Sequence, residues 1–186
     1  MQEDFNFYIP LQKAIGDTLV GVASTISPDR DFEKMSENAL NEMAKEIISN
    51  GVNLFGNHEH SWENTLGVIR KAKVQNNQLL IEVKTDDPLQ NPKVGLLLSK
   101  LKRGIKLGLS VGGAVTKERE EYDKTLGKKI KVIDGVRLYE ISVVGIPSNS
   151  DSFVSLPQAI AKSRKEICPC CHSRMYKSKC DLCFYS

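Results

Sequence analysis

The sequence has few histidines, and it has no cysteine before its last residues. Among 186 residues there are three histidines and one tryptophan, and all five cysteines lie beyond residue 167. Most of the chain therefore lacks the thiols of a disulfide framework. An imidazole outside the cysteine-rich segment must come from His58 or His60, because His172 lies among the cysteines.

Long apolar runs and a secretory leader are also missing. The longest apolar run, near residues 94–98, is far shorter than the roughly 20 residues of a membrane-spanning helix. The first residues, Met1-Gln2-Glu3-Asp4, lack the positive charge and the apolar run of a signal peptide. The sequence therefore predicts an intracellular protein without membrane contact.

Charge is distributed unevenly along the chain. Residues 162–186 hold six Lys or Arg and two acidic residues, whereas the rest of the chain holds 20 and 21. The formal net charge of +3 thus comes from the C-terminal tail. Any weak contact with nucleic acid is expected at this tail and not on the main domain.

The length and composition allow one core with a small appendage. We predict a main domain at residues 1–156, a linker at 157–166 and a tail at 167–186. Short strands separated by turns, together with two helices, predict an α+β fold in which a mostly antiparallel barrel or sandwich has helices packed outside. Dense charge at 117–129 predicts an exposed loop, and Asp134-Gly135 predicts a tight hairpin turn.

One predicted strand presents a hydroxyl between very small residues. Its sequence is Leu107-Gly108-Leu109-Ser110-Val111-Gly112-Gly113. Side chains alternate across a strand, so the leucines and Val111 face the core, while Ser110 lies on a nearly bare opposite face. Glycines in a strand often permit close approach of a ligand or another backbone. Ser110 is therefore a candidate nucleophile, with a structural serine as the alternative.

Two flanking segments supply a candidate base and a candidate acid. A serine hydroxyl needs an imidazole to take its proton, and a third group to orient that imidazole. His58 and His60 lie in a segment upstream of Ser110, and Glu140 falls within an otherwise apolar strand downstream of it. The alternatives are surface histidines that bind adventitious metal, and a glutamate that pairs with a lysine at a sheet edge.

These segments resemble the prohead maturation serine proteases of tailed phages, which share their fold and ancestry with herpesvirus assemblin. The resemblance covers roughly residues 15 to 156. It depends on five segments in this order: Asn57-His58, Leu66-Gly67-Val68, Gly108-Leu109-Ser110-Val111, Tyr139-Glu140-Ile141-Ser142-Val143-Val144 and Ile146-Pro147-Ser148-Asn149.

The resemblance implies an assemblin-like barrel and peptide hydrolysis with no catalytic cofactor. It assigns Ser110 as the nucleophile and His58 as the base, with Glu140 as the candidate third member and His60 as the alternative base. The implied substrates are scaffold and major capsid proteins, and the resemblance also implies that the chain can cleave itself. The implied setting is the assembling prohead in the host cytoplasm, where the protein can also form a homo-oligomer.

The C-terminal tail carries two C-x-x-C clips, a spacing at which two thiolates reach one tetrahedral ion. The predicted ligands of a structural zinc knuckle or ribbon are Cys168, Cys171, Cys180 and Cys183. Cys170 or His172 can replace one of them in another register. A pair of disulfides is the alternative, and the lack of a secretory signal disfavours it.

Two other functions are compatible with the same residues. A zinc-bearing adaptor would bind nucleic acid, capsid or scaffold protein through the tail. An inactive structural member of the same fold would keep the site geometry without cleaving peptides. The sequence favours the protease over both.

Overall fold

The computed structural model describes residues 17–156, in which one mixed sheet is combined with two helices. The strands are β1 Thr18–Thr25, β2 Glu33–Met35, β3 Asn53–Gly56, β4 Thr65–Gln75, β5 Gln78–Thr85, β6 Gly108–Asp123, β7 Lys128–Val144 and β8 Phe153–Ser155. The helices are α1 Glu37–Asn50 and α2 Pro92–Lys102, with a short 3-10 helix at Trp62–Asn64. The predicted α+β class is therefore confirmed.

Seven of the eight strands follow the order β2-β7-β3-β4-β5-β1-β8, and the eighth, β6, pairs with β7. β7 is parallel to β2 and to β3, whereas the other pairs are antiparallel. The β4–β5 hairpin turns at Asn76 and Asn77, which both have positive φ as expected for asparagine in a tight turn. β7 thus joins three strands and is central to the sheet.

The prediction of a barrel is wrong, because the sheet is not closed. The strands at the two edges of the sheet are β6 and β8, and a closed barrel would need them to pair along their length. Only an isolated bridge between Leu107, just before β6, and Val154 of β8 connects the two edges within the described residues. A pattern of short strands and turns predicts the strands without specifying whether the last edge pairs with the first. The sheet in residues 17–156 is open.

Both helices contribute to the same hydrophobic core. Ser36 caps α1 by accepting a hydrogen bond from the backbone N of Ala39 at 3.2 Å, and Asn91 caps α2 in the same way. The buried helix residues are Ala39, Leu40, Met43, Ile47, Val94, Leu97 and Leu98. No helix within residues 17–156 is long and apolar enough to cross a membrane.

The predicted loop at 117–129 and the predicted turn at Asp134-Gly135 are both wrong. β6 and β7 form one long hairpin that turns at residues 124–127. Its charges pair across and along the strands, as Lys129 does with Glu120 at 2.9 Å and Arg119 does with Glu121 at 2.7 Å. The hydrogen bond from Arg119, with a smaller contribution from Lys34, lowers the pKa of Glu121. The dense charge therefore belongs to a solvent-exposed hairpin whose charged side chains form ion pairs with one another.

The predicted linker and cysteine-rich tail lie outside the described residues. The tail contains the predicted zinc ligands, which are Cys168, Cys171, Cys180 and Cys183, and the alternative ligands Cys170 and His172. The zinc site therefore stays a prediction from the sequence.

Candidate active site

The register of β6 on β7 places Ser110 beside Glu140 on one face of the sheet. Ser110 lies opposite Ser142, and Gly112 lies opposite Glu140. Directly opposite residues of an antiparallel pair share a face, with Cα atoms roughly 4.5 to 5.5 Å apart. The adjacent Leu109 is buried on the core face, as the alternation predicted. Ser110 is half-buried.

The turn after β3 brings His58 to the same place. β3 is parallel to β7, and the backbone N of Asn57 extends this pairing by donating to the carbonyl of Val143 at 2.9 Å. The φ angles of Asn57 and His58 are 53° and 59°, so two consecutive residues adopt the left-handed conformation. This conformation is uncommon outside glycine and is stabilised only where the surroundings fix it.

A buried carboxylate connects this turn to β7. The Glu140 side chain is 2% exposed, and its Oε1 lies 2.6 Å from Nδ1 of His58. Its Oε2 accepts a hydrogen bond from Oγ of Ser142 at 2.7 Å. Both carboxylate oxygens thus have partners, which offsets the cost of removing a charge from water.

Ser142 is the residue that the sequence reasoning missed. Its hydroxyl is fully buried, donates to Glu140 and accepts a hydrogen bond from the backbone N of His58 at 3.1 Å. One side chain therefore fixes both the carboxylate and the left-handed turn. The signal in the sequence was a second polar residue two positions after Glu140, on the same face of an otherwise apolar strand.

Gly112 makes room for the carboxylate. A Cβ at this position would lie 2.1 Å from Oε1 of Glu140, well inside contact distance. The sequence predicted that the small residues around Ser110 admit a ligand or another backbone. At Gly112 the close neighbour is the Glu140 side chain.

His60 lies at the edge of the same cluster. Its Nε2 is 3.6 Å from Oε1 of Glu140, its side chain is 57% exposed, and its ring lies beside Phe55 with centroids 5.6 Å apart. Ligand atoms of His58, His60 and Glu140 all lie within 4.8 Å of one another. These three residues are therefore able to share a metal ion.

Two cavities are lined by residues that neighbour the cluster in sequence or on the sheet. One of about 250 Å³ is lined by Ser110 together with Ser148 and Asn149. Another of about 420 Å³ is lined by Asn57 and Glu59, the residues on either side of His58. The candidate nucleophile thus borders a cavity, and the side chain of the candidate base is itself 43% exposed.

A serine, a histidine and a carboxylate brought to one face of a mixed sheet define the class of candidate acyl-transfer sites. The sequence matches the family model described as caudovirus prohead serine protease over residues 19–167. The chain therefore belongs to the caudovirus prohead serine protease family, which confirms the resemblance found in its sequence motifs.

The other comparisons are more distant. The chain is similar to a crystal structure of KSHV protease in complex with a hexapeptide phosphonate inhibitor, at 12% identity and a TM-score of 0.48. The alignment covers 75% of this chain and 64% of that one, so the chain spans less than two thirds of that protein. No curated protein sequence matches this chain.

Proposed function

We propose that this chain is a serine endopeptidase that uses Ser110 as nucleophile, His58 as general base and Glu140 as the third member. The observation that carries the proposal is the contact of 2.6 Å between Nδ1 of His58 and a buried carboxylate oxygen of Glu140. It lies on the face of the sheet where Ser110 pairs with Ser142. Membership in the prohead serine protease family supports the same assignment.

The proposed reaction proceeds by acyl transfer. Oγ of Ser110 attacks the peptide carbonyl carbon while Nε2 of His58 takes the hydroxyl proton. The C–N bond then breaks, and His58 returns the proton to the leaving amine. A water molecule hydrolyses the acyl ester by the same steps in reverse. Glu140 stabilises the imidazolium throughout, from the Nδ1 side.

The geometry favours His58 over His60 as the base. With Nδ1 held by Glu140, the other ring nitrogen of His58 is available to accept a proton. His60 is a full ångström farther from the same oxygen, at 3.6 Å, and its ring lies beside Phe55. The hydrogen bond from the backbone of His58 to Ser142 further restricts where its imidazole can lie.

The substrates that we propose are the scaffold and major capsid proteins of the same phage, together with this chain itself. The family name supports this assignment, since it describes proteases of the prohead. The setting would then be the assembling prohead in the host cytoplasm. A homo-oligomer and a weak contact of the basic tail with nucleic acid remain proposals from the sequence.

Intact-mass analysis of the chain mixed with its own scaffold and capsid proteins tests the proposal. Wild type should release discrete fragments, Ser110→Ala should release none, and Ser152→Ala should behave as wild type. Ser152 is the control because it is a serine outside the proposed triad, with a buried hydroxyl that donates to the carbonyl of Ala23 at 3.1 Å. The same fragments from Ser110→Ala would refute the role of Ser110. No fragments from any variant would favour an inactive structural member of the family.

For the C-terminal tail we propose one structural zinc ion, held by Cys168, Cys171, Cys180 and Cys183. The support is the spacing of the two C-x-x-C clips, with Cys170 or His172 as alternative ligands. Four thiolates leave no open coordination position, so this ion would take no part in peptide hydrolysis.

A further inference from the structure

His60 has no part in the proposed reaction, yet it lies next to the atoms that do. Its Nε2 is 3.6 Å from Oε1 of Glu140, close to the separation of about 3.3 Å between two ligands of a tetrahedral zinc ion. Nδ1 of His58 lies on the same carboxylate oxygen. Two imidazole nitrogens and one carboxylate oxygen therefore lie within 4.8 Å of one another.

The ligand types and their burial suit a transition metal. Two histidines and a glutamate form a common three-ligand zinc set, which leaves a fourth position for water. Glu140 is buried and fixed by Ser142, whereas the side chains of His58 and His60 are 43% and 57% exposed. An ion from solvent can thus reach a ligand that is already held in place.

We propose that Zn²⁺ binds between His58, His60 and Glu140 and thereby blocks the serine peptidase. This inference rests on the proposed function, because the ion occupies the contact between the base and the third member. The 2.6 Å hydrogen bond between His58 and Glu140 must lengthen by about 0.7 Å to admit the ion, given ligand distances of about 2.0 to 2.1 Å. The exposed ring of His58 has the freedom to make this shift.

The inhibition follows from the two nitrogens of a neutral imidazole. In the active form Nδ1 of His58 carries the hydrogen, and Nε2 offers its lone pair to Ser110. When Nδ1 gives its lone pair to zinc, the ring hydrogen moves through solvent to Nε2, and the imidazole stays neutral. Nε2 then has no lone pair to accept a proton, so Ser110 cannot be activated.

The test adds ZnCl₂ to the full chain and follows two readouts. The first is the rate at which a fluorophosphonate modifies Ser110, a reaction in which the Oγ–P bond forms and fluoride leaves. The second is zinc binding by isothermal titration. His60→Ala removes one ligand from an exposed position, and Glu63→Ala is the control because it removes an exposed side chain three residues away that is outside the site. Each variant is compared with its own rate without metal.

Zinc should slow modification of wild type and of Glu63→Ala alike, and EDTA should restore the rate. His60→Ala should need at least about tenfold more zinc for half-inhibition and should bind one ion fewer in the same concentration range. Equal zinc concentrations for half-inhibition of His60→Ala and wild type would overturn the proposal. It would also be overturned if wild type bound one more ion than His60→Ala and its rate of modification did not fall. If Ser110 is unreactive even without metal, the proposed function fails, and the binding difference alone then decides whether the site exists.

Discussion

Glu140 is the single residue on which the account of the site most depends. A carboxylate with a 2% exposed side chain is costly unless its oxygens are bonded, and both oxygens of Glu140 are. The sequence predicted its importance for this physical reason, since one acid interrupts an apolar strand. Its partners were less predictable, because only the sheet register brings the turn after β3 next to β7.

Replacing Glu140 by Gln tests its role while keeping its shape. The amide has no charge to stabilise the imidazolium of His58, and its NH₂ group can favour the wrong tautomer of the ring. We expect the cleavage rate to fall by about a hundredfold or more. Glu82→Gln is the control, because Glu82 pairs with Lys71 on β4 and β5, away from the site. Equal rates for Glu140→Gln and wild type would exclude Glu140 from catalysis.

Ser142 is expected to act through the residues that it holds. Ser142→Ala removes the donor to Glu140 and the acceptor for the backbone of His58, so the base loses its fixed position. We expect kcat to fall about tenfold to a hundredfold with KM unchanged, and Ser142→Thr to recover part of the loss. Both Ser142→Ala and Ser152→Ala lose a buried hydrogen bond, which contributes about 1 kcal/mol to the free energy of unfolding. Measuring kcat and KM for both variants therefore separates the effect on the base from this general loss of stability. A similar kcat for both alanine variants would make Ser142 merely structural.

At the scale of elements, the close packing of β6 on β7 makes Gly112 a sensitive position. A Cβ there would collide with Oε1 of Glu140 at 2.1 Å and push the carboxylate away from His58. We therefore expect Gly112→Ala to lose about a hundredfold in cleavage rate while its thermal unfolding stays cooperative.

Gly145→Ala is the matched control for this change. Gly145 follows β7 directly, its φ is not positive, and a Cβ there meets no atom within 4 Å. Its cleavage rate and melting temperature should stay near those of wild type. If Gly112→Ala were as active as Gly145→Ala, the position of the carboxylate would not matter for the reaction.

The elements themselves were predictable where local chemistry decides them. An asparagine pair such as Asn76-Asn77 is typical of a hairpin turn, and Asn91 followed by Pro92 is typical of a helix start, and the structure has a turn and a helix start at these positions. The extent of the β6–β7 hairpin was not predicted, because its charged stretch lacks the alternation of apolar and polar residues that indicates a strand. Its ion pairs, such as Lys129 with Glu120, become visible only once the register is known.

At the scale of the whole molecule, the sequence predicted the family and the α+β class but not the open sheet. Whether β6 pairs with β8 depends on contacts between distant segments, and here only the Leu107–Val154 bridge joins them. The arrangement of His58 and Glu140 was predicted through the family resemblance and is consistent with the observed contact. The position of Ser142 required the structure.

The predicted zinc tail can be tested on the full chain by native mass spectrometry. The chain should carry one tightly bound Zn²⁺, and Cys183→Ser should lose it because three thiolates remain. Cys170→Ser is the matched control and should keep the ion. Loss of zinc from Cys170→Ser, with retention in Cys168→Ser, would indicate the alternative register. No zinc in wild type would contradict the prediction.

The most direct test of the account is the site of reaction with a fluorophosphonate, mapped by peptide mass spectrometry on metal-free protein. An activated serine reacts with such a probe, whereas an ordinary serine does not. The account predicts one adduct in wild type and in Ser152→Ala, located at Ser110, a much slower adduct in Glu140→Gln, and none in Ser110→Ala. An adduct at a different serine, or an unmodified Ser110 in wild type, would contradict the claim that His58 and Glu140 activate Ser110.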